Sequence, residues 1–289
     1  MSETTEFRNM PGPWGWPLFG SALQLKSFAE KTLLNWANQH YGNIFRYKMF
    51  NQDCVVLNGY DAIKEGLLTN KSEMSGRITG PLFEAIRDNR GLFFIQYGDS
   101  WKNWKLFVVK SVASVMPDLP QIICEQADEF LSEDLKDFIE NGESVALGDY
   151  LLYRMAQVVF LSCMNKEFLS KKKMELQELL PLIETMRLRP IAPGALYHKT
   201  ISDTVVGGYK IPKDVVIHPN LWSVHHDLKY WGPDVEAFRP DRHLDKDGKF
   251  VKSDHVIPFS VGERKCIGKQ IAEADIFVFL ATTMLRYDV

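Results

Sequence analysis

Phe259-Ser260-Val261-Gly262-Glu263-Arg264-Lys265-Cys266-Ile267-Gly268 is the stretch on which the reading of this 289-residue chain turns. A thiolate that is to hold a metal ion needs a rigid loop, dry surroundings and amide hydrogens aimed at the sulfur. Gly262 supplies backbone angles that a residue with a Cβ resists, and Phe259 is placed to keep water off the sulfur. Cys266 comes just before a predicted helix, whose free amides and positive dipole end favour an anionic sulfur. Gly268 lets that helix come close to a flat ligand. A lone cysteine in such a junction is most often an inert buried thiol. The five positions Phe259, Gly262, Arg264, Cys266 and Gly268, however, coincide by chance with odds on the order of one in 10^4 or less at average residue usage. Cys266 is therefore read as a metal-ligating thiolate.

Working outward, Glu184-Thr185-Met186-Arg187 sets a carboxylate and a guanidinium three residues apart, on one side of a predicted helix, where they can pair. Most such pairs lie on solvated faces. A buried one needs further hydrogen bonds to offset its desolvation, and Arg242, in Phe238-Arg239-Pro240-Asp241-Arg242-His243, is expected to complete that network. Trp101-Lys102-Asn103-Trp104-Lys105 offers an indole N–H and an ammonium on another predicted helix. Near the start, Pro11-Gly12-Pro13-Trp14-Gly15-Trp16-Pro17 packs three prolines and two glycines into seven residues, a stiff non-helical lead-in.

These segments, in this order, resemble the cytochrome P-450 superfamily. F-x-x-G-x-R-x-C-x-G is that family's haem-binding signature and E-x-x-R its helix motif. Phe238–His243 is similar to its P-E-R-F segment, with Asp for Glu and His for Phe, and Trp101–Lys105 to its W-x-x-x-R, with Lys for Arg. Ile122–Asp128 and Asn220–Asp227 look most like animal drug- and steroid-hydroxylating microsomal members, in particular steroid 17α-hydroxylase-like ones. The resemblance runs from Pro11 to Val289.

The resemblance implies a mainly α fold with small β-sheets (α+β), one cytochrome P-450 domain over 1–289, and a proline-rich hinge at 11–17. It implies haem b with Cys266 as the iron ligand, Phe259 and Gly268 around the porphyrin, and Arg264, His198, Trp101 and Lys105 at the propionates. Lys in place of Arg loses the two-pronged fork, so Lys105 is the weaker contact. Its other reading is a solvated surface lysine, as that of Trp101 is ordinary core packing. Glu184, Arg187 and Arg242 are implied to form a structural network. The implied activity is an oxidoreductase, a monooxygenase that inserts one oxygen atom of O2 into an apolar steroid, lipid or xenobiotic. Its electrons come from NADPH through NADPH-cytochrome reductase, with cytochrome b5 as a further partner, at the cytosolic face of the endoplasmic reticulum membrane. Ile191, Ala192 and Leu196 are expected to face substrate, and Lys102, Lys105, Lys265 and Lys269 to attract an acidic redox partner.

Composition sets outer limits. The net charge is 34 minus 37, or −3, which argues against a nucleic-acid partner. Cys54, Cys124, Cys163 and Cys266 include no C-x-x-C pair, which fits a reducing compartment better than a disulfide framework or a zinc site. No long apolar run suggests a membrane span, and Met1–Met10 has no signal-peptide core. Periodicity predicts helices at Phe28–His40, Tyr60–Leu68, 81–90, Trp101–Val115, Leu119–Glu140, Asp149–Met164, about Glu175–Arg187, and from Cys266 to about Leu285. Hairpins are predicted over Asn43–Leu57 and Val206–Val215, the second turning at Gly207-Gly208. His225, His226 and His255 lack metal-binding spacing and are expected at the surface or in turns, and Lys171–Lys173 in a solvated linker.

One family feature has no counterpart. Members carry a long helix over the distal haem face with an A/G-G-x-x-T pattern, whose acid–alcohol pair delivers protons to bound dioxygen. Only nineteen residues separate Met164 from Glu184, too few for that helix, and none of them forms the pattern. The expectation is a cytochrome P-450 fold truncated in the middle, without membrane anchor or final hairpin. The alternative to a working monooxygenase is then a truncated, non-catalytic haem-binding or reductase-binding isoform or fragment.

Overall fold

Cys54-Val55-Val56-Leu57 is a continuous apolar run, and such a strand is stable only with partners on both edges and cover on both faces. The computed structural model describes residues 4–25, 28–78, 92–141, 154–155, 158 and 180–286. In chain order these form α1 (Ala29–Trp36), β1 (Ile44–Met49), β2 (Gln52–Asn58), α2 (Tyr60–Lys64), α3 (Asp99–Val115), α4 (Leu119–Glu129), α5 (Lys136–Asn141) and α6 (Leu180–Leu188). They continue with β3 (His198–Lys199), β4 (Thr204–Val206), β5 (Tyr209–Ile211), β6 (Val216–Asn220), α7 (Leu221–His225), α8 (Leu228–Trp231) and α9 (Lys269–Arg286). This is the mixture of helices and small sheets that the sequence predicted. Two compact units result, one drawn from Met1–Trp104, Glu184–Arg239 and Lys252–Cys266, the other from Lys105–Ile183, Pro240–Val251 and Ile267–Val289.

The first unit is built on a four-stranded sheet of order β1-β2-β6-β3. β2 pairs antiparallel with β1, Phe45 opposite Val56, and parallel with β6, Val55 opposite Ile217. Alternation sends Val55 and Leu57 into one apolar cluster with Ile63, Leu67, Met74 and Ile217. Cys54 and Val56 go into the other, with Leu33, Phe45 and Tyr47. β4 and β5 form the expected hairpin, and Gly207 and Gly208, at φ +55° and +80°, make the two-residue left-handed turn that matches strand twist.

The proline-rich segment runs along the outer edge of β1. The Arg46 amide donates to the Pro11 carbonyl at 2.8 Å and the Ser21 amide to the Lys48 carbonyl at 2.6 Å. Two bulky residues beside it hold left-handed backbones: Leu18 at φ +68° and Phe50 at φ +54°. That conformation costs an L-residue with a Cβ roughly 1–2 kcal/mol, and neither side chain recovers it by burial, because both are exposed.

In the second unit α4 packs on α9, with Phe130 edge-on to Phe279 at 5.6 Å between ring centres, among Leu119, Ile123 and Leu131. The single helix predicted over Leu119–Glu140 is broken into α4, a π-helical turn at Phe130–Asp134, and α5. The wider turn aligns residues five apart. Glu129 and Asp134 thereby meet one cation, Arg154, whose Nε donates to Asp134 at 2.7 Å and whose Nη1 donates to Glu129. Likewise the Phe28–His40 helix is α1 followed by a π-helical turn, Ala37–Tyr41, that Gly42 closes at φ +75°. The predicted helix at 81–90, the Lys171–Lys173 linker, Cys163 and most of Asp149–Met164 lie outside the described residues.

The histidines correct the sequence reading. His225 and His226 are buried, because all of α7 packs inward, and His226 stacks on Trp222 at 3.5 Å. His255 does lie in a turn, as expected, stacked between Tyr60 and Tyr230. An apolar neighbourhood three to five residues away, Leu221 and Trp222, carries the polar pair in with it.

Burial holds four histidines of the first unit neutral. It pushes His198, His218 and His225 down to about 3 and His226 down to about 4. The unfolded rings gain protons below about pH 6.5 and the folded ones do not, so stability rises with pH across that window. Each ring then costs on the order of 2 kcal/mol between about pH 7 and about pH 5. Asp275, in the second unit, is pushed up to about 7 by burial and works in the opposite direction. The urea midpoint is expected to fall on acidification, and His218→Gln to reduce that fall. An equal drop in the variant would show that His218 is not one of the responsible groups.

Candidate functional site

Glu184 and Arg187 sit three apart on α6, and both are fully buried. Arg187 grips the carboxylate with two prongs, Nε to Oε2 at 2.8 Å and Nη2 to Oε1 at 2.7 Å. Its other donors reach the His225 carbonyl at 2.7 Å and the Val235 carbonyl at 2.9 Å. Glu184 also accepts the Arg239 amide at 3.2 Å, and the guanidinium lies 5.1 Å from the Trp231 ring centre. The pair therefore clamps the segment from His225 to Arg239.

His225 extends this framework toward the cysteine loop. Its Nε2 accepts the Ile257 amide at 2.9 Å, and the Ile257 carbonyl accepts the Ser260 amide at 3.0 Å. The Phe259 carbonyl accepts the Cys266 amide at 2.9 Å, closing the loop. Gly262 stands at φ +82°, and a Cβ there would come within 2.0 Å of the Leu67 carbonyl oxygen, so the loop can seat only glycine. Cys266 is exposed and held by its backbone. Among the described residues no hydrogen bond reaches its sulfur, in place of the amide hydrogens expected around it. Phe259 is half-buried.

Beside this loop the first unit gathers positive charge that no carboxylate among the described residues answers. Arg264 donates from Nε to the Ser75 carbonyl at 2.9 Å, from Nη1 to Leu92 at 3.2 Å and from Nη2 to Ile95 at 2.7 Å. It stacks 4.2 Å from the ring centre of buried Trp101, whose indole N–H donates to the Leu92 carbonyl at 3.1 Å. Arg77, also buried, donates to the carbonyls of Phe93 and Tyr197 at 3.0 Å. Among the described residues its Nη2 has no acceptor and neither arginine has an acidic partner. Desolvation, reinforced for Arg264 by the charge of Arg77, lowers Arg77 to about 10 and Arg264 to about 9. His198 completes the cluster. Its Nδ1 lies 2.7 Å from the Met74 carbonyl and must carry the proton there, since a carbonyl only accepts. Burial, then the charges of Arg77 and Arg264, keep it neutral.

The structure thus brings Trp101, His198 and Arg264 together and joins to them Arg77, which the sequence reading missed. The only trace in the sequence was Gly76 before it. A Cβ there would press within 2.5 Å of the Lys199 carbonyl, and that close approach sets Arg77 beside His198. Lys105, four residues after Trp101 on α3, belongs to the second unit. So do Arg242, in the turn Pro240–His243, and Gly268, whose carbonyl accepts the Ala272 amide at 2.9 Å. Ile191, Ala192 and Leu196 are exposed. The cluster fits a ligand with two carboxylates at one edge and a metal that seeks sulfur: buried Arg77 and half-buried Arg264, the latter two residues before Cys266 in the glycine-shaped loop, have no acidic partner among the described residues.

Arg187→Ala leaves the buried Glu184 carboxylate without its cation, a loss of roughly 3–5 kcal/mol. The expected result is a marked drop in urea midpoint or aggregation, with Arg187→Lys recovering only part, because one ammonium cannot serve all these acceptors. Full stability in the alanine variant would mean the pair is dispensable.

Comparison with known proteins agrees with this geometry. A family model described as Cytochrome P450 matches residues 10–183 and 181–289. Cytochrome P450 2U1 of Homo sapiens is 42% identical over 106 residues, 37% of this chain and 19% of that protein. Steroid 17-alpha-hydroxylase/17,20 lyase of Squalus acanthias is 39% identical over 108 residues, 37% of this chain and 21% of its own length. Cytochrome P450 1B1 of Homo sapiens is 44% identical over 102 residues, 35% and 19%. Each alignment therefore spans about a fifth of the relative. With the family matched along nearly all of its length and the motif residues arranged as above, this chain belongs to the cytochrome P450 family.

Proposed function

We propose that this chain is a haem-thiolate protein of the monooxygenase type, with Cys266 as the iron ligand of haem b. The observation that carries the proposal is the cluster of Arg77, Arg264, His198 and Trp101, without a carboxylate among the described residues, in the same unit as the cysteine loop. Haem, when bound, supplies the redox chemistry by which one atom of O2 enters an apolar substrate. The protein supplies the rest. Cys266 donates the thiolate, and Gly262 gives the loop a shape that no side chain allows. Arg77 and Arg264 present donors to the propionates, with Lys105 in a weaker supporting role, while Trp101 reaches a propionate only by turning its single N–H away from the Leu92 carbonyl. His198 approaches them with its Nδ1 already committed to Met74, so it donates to a carboxylate only after gaining a proton at Nε2. Phe259 and Gly268 shape the contact with the porphyrin. Glu184, Arg187 and Arg242 serve folding and haem retention rather than proton transfer. Electrons would come from NADPH through its cytochrome reductase, with cytochrome b5 as a second donor, at the endoplasmic reticulum. An apolar steroid, lipid or xenobiotic is the proposed substrate class.

A second reading, a haem-binding isoform with little turnover, is favoured by one observation. The family match is in two parts that meet at residues 181–183, directly before Glu184. That is where the distal helix and its acid–alcohol relay have no counterpart. A general acid contributes typically 10²–10⁴-fold, so hydroxylation without it is slow.

Two measurements test these readings. Cys266→Ser is expected to abolish the red-shifted CO band of the reduced protein, and a band that survives overturns the ligand assignment. Arg77→Leu is expected to speed haem loss to a scavenger by roughly tenfold or more, from one charge-assisted hydrogen bond. With reductase and a panel of steroids and drugs, most NADPH is expected to appear as reduced oxygen species. Tight coupling to hydroxylated product would instead show that another segment replaces the distal helix.

A further inference from the structure

Gly76 pairs with Lys199 of β3 through both its backbone groups. Its amide donates to the Lys199 carbonyl and its carbonyl accepts the Lys199 amide, each at 3.0 Å. Backbone groups of successive residues in an extended chain point to opposite edges, so those of Arg77 face away from β3. Among the described residues no other main chain meets them there. The side chain of Gln96 takes that place. Its Oε1 accepts the Arg77 amide at 3.2 Å, and its Nε2 donates to the Arg77 carbonyl at 2.9 Å. One carboxamide thus does for Arg77 what a peptide group of a neighbouring strand would do. Gln96 is exposed and Arg77 is buried. Water would satisfy both ends of an exposed glutamine, so the double bond acts as a constraint on Arg77 and not as relief for Gln96.

The place of Gln96 in the chain gives that constraint a use. Residues 92–98 form no helix or strand. The carbonyl of Ile95, directly before Gln96, accepts from Arg264 Nη2 at 2.7 Å. Two adjacent residues therefore grip the two cations, Ile95 the guanidinium of Arg264 and Gln96 the main chain of Arg77. Leu92 and Phe93 each add a carbonyl, to Arg264 at 3.2 Å and to Arg77 at 3.0 Å. Like charges repel, and arginine has several rotatable bonds along which to move away. With the Arg77 main chain pinned, residues 92–96 hold both guanidinium groups in one arrangement. A ligand with two carboxylates on a rigid edge gains from both cations only when they are held in place before it arrives.

We propose that Gln96 is a positioning residue for ligand binding, which fixes Arg77 against Arg264 so that two carboxylates on one rigid edge are met together. This rests on the reading of the cluster as the propionate-binding edge for haem. The test compares the rates at which haem, and haem dimethyl ester with both carboxylates blocked, leave the full chain for a scavenger protein. The chains compared are the natural one, Gln96→Leu, Arg77→Leu and the double variant, each with its urea midpoint. Gln96→Leu is expected to speed the loss of haem roughly three- to tenfold, the range for one neutral hydrogen bond. It is expected to leave the rate for the ester and the midpoint unchanged, and to add nothing once Arg77 is already leucine. Gln96→Asn keeps the carboxamide but draws it back by a methylene, and the same result is expected of it. Equal acceleration of haem and ester, or a midpoint that falls clearly, would make Gln96 a brace of the fold and overturn the proposal. So would an unchanged haem rate in both Gln96 variants, or an effect that persists in full beside Arg77→Leu. Haem and ester leaving the natural chain at the same rate would instead show that the cluster does not hold carboxylates, and the proposal would fall with that reading.

Discussion

Arg187 cannot enter a protein interior alone. A guanidinium removed from water has to bring its acceptors with it, because the desolvation of an unpaired charge exceeds what one contact returns. Here Glu184 takes two donors, and the carbonyls of His225 and Val235 take others. That set fixes more than the pair itself. It anchors both ends of the segment between His225 and Val235, and His225 in turn receives the Ile257 amide at the root of the cysteine loop. The backbone of the loop is thus positioned by an interaction two steps removed from the sulfur.

The same physics, run without the acid, explains the cluster at Arg77 and Arg264. Backbone carbonyls satisfy much of their hydrogen bonding but carry only partial charge, so both cations are left electrostatically incomplete and lowered from the usual arginine range. A buried pair like Glu184–Arg187 is finished on folding. Buried Arg77 and half-buried Arg264 have no acid among the described residues, and in the proposed function a propionate completes them. That difference separates a structural network from a binding site better than burial does, since both sets are buried or nearly so.

The cysteine loop and E-x-x-R were legible from the sequence because their chemistry lies in close spacing. Only a few combinations of Gly, Arg and Cys serve a rigid thiolate loop, and a separation of three puts two charges on one helical face. The β1–β2 and β4–β5 hairpins were legible for the same local reason. The break in the Leu119–Glu140 helix was not. Whether Glu129 and Asp134 share a face depends on Arg154, twenty residues further on, and a cation at that distance leaves no mark on local periodicity.

The sequence by itself determined the family, the thiol and the partner three residues from Glu184, since each is a matter of residue type at short separation. Only the tertiary structure decided that Arg77 joins Arg264, His198 and Trp101, and that His225 is a buried link in the frame. It also decided that the side chain of Gln96 meets the backbone of Arg77. Those meetings join residues up to 187 positions apart, counted from Arg77 to Arg264. Chain folding, not spacing, sets such distances, and the cost of burying a charge becomes visible only once its neighbours are in place.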